Sequence, residues 1–437
     1  MLEFSKSKLH ERLKKSAEKL GFQTLTPVQE AVIPVVASGK DIVVSSRTGS
    51  GKTGAFIFPM LEQFLENPKV SGGTRALVLV PTRELALQIK KNFEQIASFT
   101  QIKCGLVIGG EPFKYQVASI RRNPEVIIAT PGRLVEHIEK NTVDFKELEF
   151  LVLDEADLML DMGFAEELMA ISDACREERQ NLLFSATFNH KAFSRVRARL
   201  KNPHHIKLDE AFAENTDISH RCILADDDKH KERLVAELVK QEEPDRGFVF
   251  CRTRLQAQKV SNLLRAGKIR AEYIHGEISQ SDRKQVLNRF RDGKIQVLVA
   301  TDLAARGLDV EGVDLVINFT VAASGDDYVH RVGRTGRAGH AGVAVSLIDA
   351  REWNKMSSIS RYLKIQPDWR AIEGLEAQYK GPKKVKSSGK AAGPKKNKNA
   401  KMARNKTRQK PKKTAAIKSS TAASRRKRFG EVDKRPD

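Results

Sequence analysis

The 437-residue sequence predicts an α/β fold: two domains built on parallel sheets, followed by a basic tail. Three observations carry this prediction. Short runs rich in Val, Ile and Leu alternate with amphipathic helical patterns, as buried parallel strands and their crossover helices do. The rhythm breaks at a polar stretch near 202–216 and then restarts. Beyond Tyr379 large apolar residues nearly vanish, and Phe429 is the one aromatic residue, so this segment is expected to be disordered on its own. The expected boundaries are 1–208 for the first domain, 209–218 for a link, 219–370 for the second domain and 380–437 for the tail.

Taken in order, Leu9, Leu13, Ala17 and Leu20 fall on one helical face, with Gly21 placed to end that helix and His10 facing solvent. Expected strands follow at Asp41–Ser45, Ala76–Val80, Lys103–Ile108, Glu125–Ala129, Phe150–Leu153 and Asn181–Phe184. Helical patterns between them include Glu84–Ala97 and Arg133–Lys140. His204 and His205, beside Pro203, read as loop histidines in the link, because no third metal ligand is evident. In the second half the expected strands are Gly247–Cys251, Ala271–Ile274, Gln296–Ala300, Asp314–Asn318 and Gly342–Leu347. His275 reads as a strand-end hydrogen-bonding residue. Trp353 and Trp369 flank a helix-like run and read chiefly as packing residues, at the edge of a candidate binding surface. The two halves are not close sequence repeats.

Composition narrows the class. Net charge is +22, but Lys380–Asp437 carries 22 Lys and Arg against 3 Asp and Glu, a net of +19, which leaves +3 for everything before it. A charged tail on a near-neutral body points to a polyanion, most often nucleic acid. Cys104, Cys175, Cys222 and Cys251 are scattered with no paired spacing, as in a reducing compartment. No apolar run approaches the roughly 18 residues that span a bilayer. The N-terminus has no apolar signal core.

Chemistry gathers at strand ends, where parallel sheets bind ligands. The run Ser46-Arg47-Thr48-Gly49-Ser50-Gly51-Lys52-Thr53 follows an apolar strand and opens a helix. Its glycines let backbone N–H groups turn toward a phosphate, Lys52 can reach the outer phosphates, and Thr53 can ligate Mg²⁺. Ser46 departs from the general G-x-x-x-x-G-K-[ST] pattern, which has Gly there. Asp154 and Glu155 follow Leu151-Val152-Leu153 directly, where a Mg²⁺-organising carboxylate and a water-orienting one would sit. An acidic run of this kind taken alone reads better as a solvated turn; Lys52 upstream reverses the reading. Arg331, Arg334 and Arg337 are spaced three apart, which puts them on one helical side until Gly336. They suit phosphate, since the guanidinium fork binds oxygens in pairs.

These motifs, in this order, resemble the DEAD-box family of RNA helicases over roughly residues 4–365, with Asp154-Glu155-Ala156-Asp157 matching its name motif. Gly21-Phe22-Gln23-Thr24-Leu25-Thr26-Pro27-Val28-Gln29, with Phe4 upstream, is similar to the family's adenine-reading segment. The resemblance implies two RecA-like domains that bind ATP and Mg²⁺. It implies that Gln29 bonds the adenine edge and Phe22 covers its face. Thr48, Gly49, Ser50, Gly51, Lys52 and Thr53 would hold the phosphates, Asp154 would hold Mg²⁺ through water, Glu155 would position the attacking water, and Asp309 would contact the ribose. Arg334 and Arg337 would be arginine fingers, and Ser185 and Thr187 would couple hydrolysis to strand separation. For RNA the implied positions are Thr82, Arg83, Gly109, Gly110, Thr130, Gly132 and Arg133, then Arg252, Gly276, Gln280, Arg283 and Thr301. Most would meet the sugar-phosphate backbone, so little sequence specificity is expected. Asn318-Phe319-Thr320-Val321-Ala322 departs from the family's Asn-Tyr-Asp-x-Pro, which bears on a local turn and a contact near Tyr328.

The expected activity is RNA-stimulated ATP hydrolysis coupled to local, non-processive duplex unwinding or remodelling of RNA–protein particles, in ribosome assembly or RNA decay. The alternatives are an ATP-gated RNA clamp or scaffold, and DNA as the substrate. Expected partners are structured or duplex RNA, ribosomal or messenger, and proteins of ribosome assembly or RNA decay. The tail is expected to tether RNA electrostatically; a solubilising role, or an import signal at Arg425–Arg428, is the alternative. The expected compartment is the cytoplasm, with the nucleus or nucleolus second.

Overall fold

The computed structural model describes residues 2–46, 50–69, 72–185, 193–208, 218–276, 278–305, 308, 310, 312–336 and 341–391. Among these, fourteen strands form two all-parallel sheets, each of seven strands. The first sheet holds β1 (Ile42–Ser45), β2 (Ala76–Leu79), β3 (Cys104–Val107), β4 (Val126–Ala129), β5 (Phe150–Leu153), β6 (Gln180–Ser185) and β7 (His204–Lys207). Its order is β3-β4-β2-β5-β6-β1-β7. The second holds β8 (Ile218–Leu224), β9 (Gly247–Cys251), β10 (Ala271–Ile274), β11 (Val297–Thr301), β12 (Leu315–Asn318), β13 (Gly342–Ile348) and β14 (Asp368–Arg370), in the order β10-β11-β9-β12-β13-β8-β14.

The continuous apolar runs have a simple cause. Successive strand side chains point to opposite faces, and helices cover both faces of each sheet. In β1, Ile42 and Val44 join a core with Phe56 and Phe184, while Val43 joins another with Leu77 and Leu183. In β9, Val249 and Cys251 join a core with Leu234, and Phe248 and Phe250 join one with Phe290 and Leu298. The four cysteines are all unpaired.

Three strands lay outside the expected set. β7 carries His204 and His205, so these are strand residues rather than loop residues; they pair in register with Ile42 and Val43. β8 and β14 pair with each other beside β13. β7 and β14 are edge strands with mostly exposed side chains, and β8 mixes Ser219, His220 and Arg221 into its run. Edge position removes the two-sided burial that makes a strand legible. The expected link at 209–218 overlaps β8 at Ile218; residues 209–217 lie outside the described set.

Helix ends also differ. The first helix runs Glu11–Lys19, and His10 is its N-cap: its Nδ1 accepts from the Arg12 N–H, and its own N–H donates to the Glu62 carboxylate at 2.6 Å. The expected Glu84–Ala97 and Arg133–Lys140 helices are observed at Arg83–Ile96 and Pro131–Glu139. The three arginines do not share a helix: Gly325–Val332 is helical and ends before Arg334. Residues 380–391, expected in the tail, belong to the first compact unit, Met1–Ala391. They pack on the helix Trp353–Leu363, where Trp353 Nε1 donates to Gly389 O at 3.1 Å. Few apolar residues are needed there, because backbone groups make the contacts. The rest of the expected tail, from 392, lies outside the described residues.

Candidate active site and nucleic-acid interface

The site starts where β1 ends. Lys52 opens the helix Lys52–Glu66, is buried, and donates from Nζ to Ser46 O at 2.8 Å. The hydroxyls of Ser46 and Ser50 lie 2.6 Å apart. Ser46 therefore contributes a side-chain hydrogen bond where the general pattern has glycine. Gly51 sits at φ +93°, and a Cβ there would lie 2.7 Å from Thr26 Oγ1. The turn needs glycine for its backbone angle and for this close approach. Thr48 and Gly49 lie outside the described residues.

Gln29 is buried and engaged at both ends of its amide. Its Oε1 accepts from the Thr26 N–H at 3.0 Å, capping the helix Pro27–Ala37, and its Nε2 donates to Gly51 O at 3.1 Å. It thus ties the segment around Thr26 to the phosphate turn. An amide carries a second donor hydrogen and a second lone pair, so capacity for a base edge is left. Phe22 is 42% exposed at the mouth of the same cleft, and its ring lies 6.1 Å from that of Phe4. Thr26 Oγ1, in the cleft wall, is buried without a described hydrogen-bond partner.

The carboxylates come from β5, two strands away from β1. Asp154 is buried, and burial weakens its acidity while the Lys52 ammonium opposes that shift. Glu155 is pushed up to about 7, chiefly by burial and then by the Asp154 charge, with Lys52 and Arg334 opposing. Its backbone is left-handed, at φ 54° and ψ 51°, and caps the helix Ala156–Asp161. A non-glycine residue held there costs on the order of 1–3 kcal/mol, a strain that persists where surrounding structure enforces it. Ser185, at the end of β6, is fully buried, pairs in register with Ser45, and accepts through its carbonyl from the Ser46 N–H at 3.3 Å. Thr187 lies outside the described residues.

The second domain closes the cleft. Lys52, Thr53, Asp154 and Glu155 from the first domain and Leu308 and Arg334 from the second line one cavity of about 390 Å³. Arg334 Nη1 donates to Leu308 O at 2.6 Å. Arg331 does different work. It is buried, pairs with both Asp302 carboxylate oxygens at 2.6 and 2.7 Å, and donates to Asn318 Oδ1 and Thr320 O. It fastens the ends of β11 and β12 beneath the helix that leads to Arg334. Arg337 and Asp309 lie outside the described residues.

The RNA candidates sit at the ends of β2, β3 and β4 in one sheet and of β9, β10 and β11 in the other. Thr82 Oγ1 accepts from the Leu85 N–H and caps the helix Arg83–Ile96. The Arg83 guanidinium crosses Gly109 and Gly110; a Cβ on Gly110 would lie 2.0 Å from Arg83 Nη1. Thr130 is buried at the start of the helix Pro131–Glu139, and Gly132 has open space around it. Arg133 is tied to Glu111 O at 2.7 Å and Glu136 at 3.2 Å. Arg252 and Gly276 are exposed, and Thr301 is partly buried. Gln280 opens the helix Gln280–Arg291, and its side chain lies outside the described set. Arg283 bridges the domains: its Nε lies 3.0 Å from Glu84 Oε1, and it donates to Ala304 O. Glu84 had no expected role, although it directly follows Arg83. Only the meeting of two domains supplies its partner.

The departure at 318–322 is resolved by burial. Lys231, itself buried, pairs with Glu352 and donates to Phe319 O at 3.1 Å, and Glu352 accepts from the Val321 N–H at 3.0 Å. Phe319, Val321 and Ala322 are buried, and Tyr328 Oη lies 3.0 Å from His220 Nδ1.

The chain matches the DEAD/DEAH box helicase family over residues 26–196 and the helicase conserved C-terminal domain over residues 230–339. It is 37% identical over 392 residues to the ATP-dependent RNA helicase SrmB of Haemophilus influenzae, covering 89% of each chain. It is 39% identical over 340 residues to the ATP-dependent rRNA helicase rrp3 of Aspergillus fumigatus, covering 77% of this chain and 71% of that one. Among solved structures, S. cerevisiae Dbp5 bound to RNA and ADP BeF3 is similar, with a TM-score of 0.76 and 26% identity over 85% of this chain and 96% of that one. Two RecA-like sheets, a shared cleft and these relatives lead to one conclusion: the chain belongs to the DEAD-box family of ATP-dependent RNA helicases and is an ATP-hydrolysing enzyme.

Proposed function

We propose that this helicase opens short RNA duplexes, or remodels RNA–protein particles, by closing its two domains on one strand rather than by long translocation. The observation that carries this reading is the shared cleft: Arg334 of the second domain lines the same cavity as Lys52 and Glu155 of the first. ATP and RNA then favour the same closed arrangement, so each strengthens the other's binding. Lys52 holds the outer phosphates, and Arg334 stabilises charge on the transferring group. Glu155 orients the attacking water. Gln29 and Phe22 read and cover the adenine.

Thr53 and Asp154 would hold Mg²⁺, which would neutralise phosphate charge. The donor chemistry fits. Asp154 is a buried carboxylate whose acidity burial has weakened, so a nearby cation is favourable. Among the described residues no group of three or more His, Cys, Asp or Glu gathers around a metal position. That suits an ion taking most of its ligands from phosphate and water.

Arg83 with Gly109 and Gly110 in the first domain, and Arg252 with Gly276 in the second, contact the RNA backbone. Structured ribosomal RNA is the favoured substrate class, since one relative is named an rRNA helicase. The basic segment beyond 392 adds affinity with little sequence preference. The test is ATP hydrolysis by the full chain with and without RNA. RNA should stimulate turnover, Lys52→Ala should abolish it, and short duplexes should be separated while long ones are not. No stimulation by RNA, or an unaffected Lys52→Ala variant, refutes the reading.

A further inference from the structure

We propose that Trp369, backed by Trp353, is a stacking platform for a base of single-stranded RNA, separate from the strand-end groove. The proposal rests on the RNA reading above and adds a second contact to it. Trp369 lies on β14, an edge strand that pairs with β8. It is 47% exposed, although it is among the largest apolar side chains a protein has. Its ring stacks on that of Trp353 with centroids 5.1 Å apart and planes 23° apart. Trp353 is itself anchored through Nε1 to Gly389 O. One face of Trp369 is therefore held by a fixed neighbour, and the exposed part forms a rigid aromatic ledge. Rigid rings lose little freedom on binding a flat partner.

The surroundings select the partner. After β14 the chain returns across the domain: the Asp226 carboxylate accepts from the Gln378 and Tyr379 N–H groups at 3.1 and 2.8 Å. It then approaches the Trp353 ring at Gly381 and folds on the helix Trp353–Leu363, with a bridge between Val385 and Ala391. The Ala391 N–H donates to Asn354 Oδ1 at 2.7 Å. This hairpin exposes Lys383, Lys384, Lys386 and Lys390 next to the tryptophan pair. The sequence continues from Ala391 with 17 Lys and Arg against 3 Asp and Glu. An aromatic face with exposed cations on the adjoining hairpin is a combination that binds single strands without sequence preference. A protein partner is less well matched, because lysine is depleted at protein interfaces. The ledge is also remote from the groove. Of the strands that end at the groove, β9 is the nearest to β14, four strand spacings or roughly 19 Å away. RNA gathered by the basic segment would be held at high local concentration beside the ledge.

The chain contains two tryptophans, both in this pair, so fluorescence of the full-length protein excited at the red edge, where its five tyrosines absorb little, reports on this pair. A long oligouridine should quench it, and one short enough to fill only the core groove should not. Trp369→Leu should abolish quenching and raise the long oligouridine needed for half-maximal ATPase stimulation by about tenfold. Maximal turnover and the response to short RNA should not change. Trp369→Phe should keep most of the affinity, and Lys386→Glu with Lys390→Glu should lose it without touching either ring. Stimulation of ATPase by long RNA with no quenching, and with unchanged half-saturation in Trp369→Leu, overturns the platform while leaving the helicase reading intact. Quenching by an apolar peptide but not by RNA overturns it as well. Quenching by long RNA without any ATPase stimulation supports the platform and instead counts against the proposed function.

Discussion

The first sheet runs β3-β4-β2-β5-β6-β1-β7 and the second β10-β11-β9-β12-β13-β8-β14, the same order with each strand advanced by seven. Equivalent loops therefore occupy equivalent places, yet their chemistry is opposed. After β1 the chain forms the small turn that leads to Gly51 and Lys52. After β8 it reads Ala225-Asp226-Asp227, with Asp227 capping the helix Asp228–Glu242 through the His230 N–H and Asp226 binding the returning chain. One turn leaves room for an anion; the other fills the same place with carboxylates. After β5 come Asp154 and Glu155, whereas after β12 come Phe319 and Thr320, bound by Lys231 and Arg331. The candidate RNA residues, by contrast, fall on the same three strands of each sheet. The two sheets thus share one order while their turns differ, and the cleft between them takes Lys52, Asp154 and Glu155 from one domain and Leu308 and Arg334 from the other.

The most damaging change to this picture is at the arginine. Arg334→Ala is expected to lower RNA-stimulated ATP hydrolysis by about 10³-fold, the scale of a lost arginine finger. Asp227→Ala, in the turn equivalent to the phosphate loop, should leave turnover intact and cost about 1 kcal/mol of stability as a lost cap. Steady-state kinetics and urea unfolding of both variants check this. Near-normal turnover by Arg334→Ala would mean that the first domain holds a whole site.

Next in size is the buried pair. Lys231→Met leaves Glu352 and Asp349 buried beside the 319–322 turn without their ammonium partner. A cost of about 3–5 kcal/mol is expected. It should appear in the calorimetric unfolding of the second domain and leave the first unchanged. Equal loss from both domains would show that they do not unfold independently.

The Glu84–Arg283 bridge tests whether the matched surfaces cooperate. Glu84→Arg should lower the RNA-stimulated rate by roughly tenfold, on the scale of a 1–2 kcal/mol interdomain coupling. The swap Glu84→Arg with Arg283→Glu should recover much of it. A double variant as slow as the sum of the singles would assign each residue a separate role.

The smallest effect is the pH dependence. Burial, and then the Asp154 charge, push Glu155 up to about 7, so basal turnover should fall as pH drops through about 7 and the carboxylate is protonated. The sign for stability is the reverse. A raised carboxylate penalises the fold when ionised, so its cost is absent at acid pH, grows above the ordinary value of about 4.5 and is complete above 7. Glu155→Gln should therefore raise the unfolding free energy at pH 8, by on the order of 1 kcal/mol, with the gain vanishing near pH 4.5. A constant gain at all pH values would show that ionisation of this carboxylate is not what penalises the fold.

Residues that act through local spacing were readable in advance. Lys52 after a glycine turn, and Asp154 directly after an apolar strand, carry their context within a few positions. Residues whose role needs a distant partner were not. Gln29 reads as an adenine contact, but in the fold it also ties Thr26 to Gly51. Arg331 shares the three-residue spacing with Arg334 but has no role of its own in the motif, and its bond to Asp302 buries it while Arg334 reaches the cleft. Glu84 has no local signature at all. β7, β8 and β14 were missed because edge exposure and interspersed polar residues erase the apolar run.

By itself the sequence determined the α/β rhythm, the break between two domains, the glycine-containing turn before Lys52, the carboxylate pair and the basic run at its end. Each is a short-range pattern of burial, spacing or charge. The tertiary structure alone decided that Arg331 is buried against Asp302, which carboxylate bridges the domains, that both sheets share one strand order, and that Trp369 is left on an edge. Those outcomes depend on contacts between segments far apart in the chain, where no local periodicity records the partner.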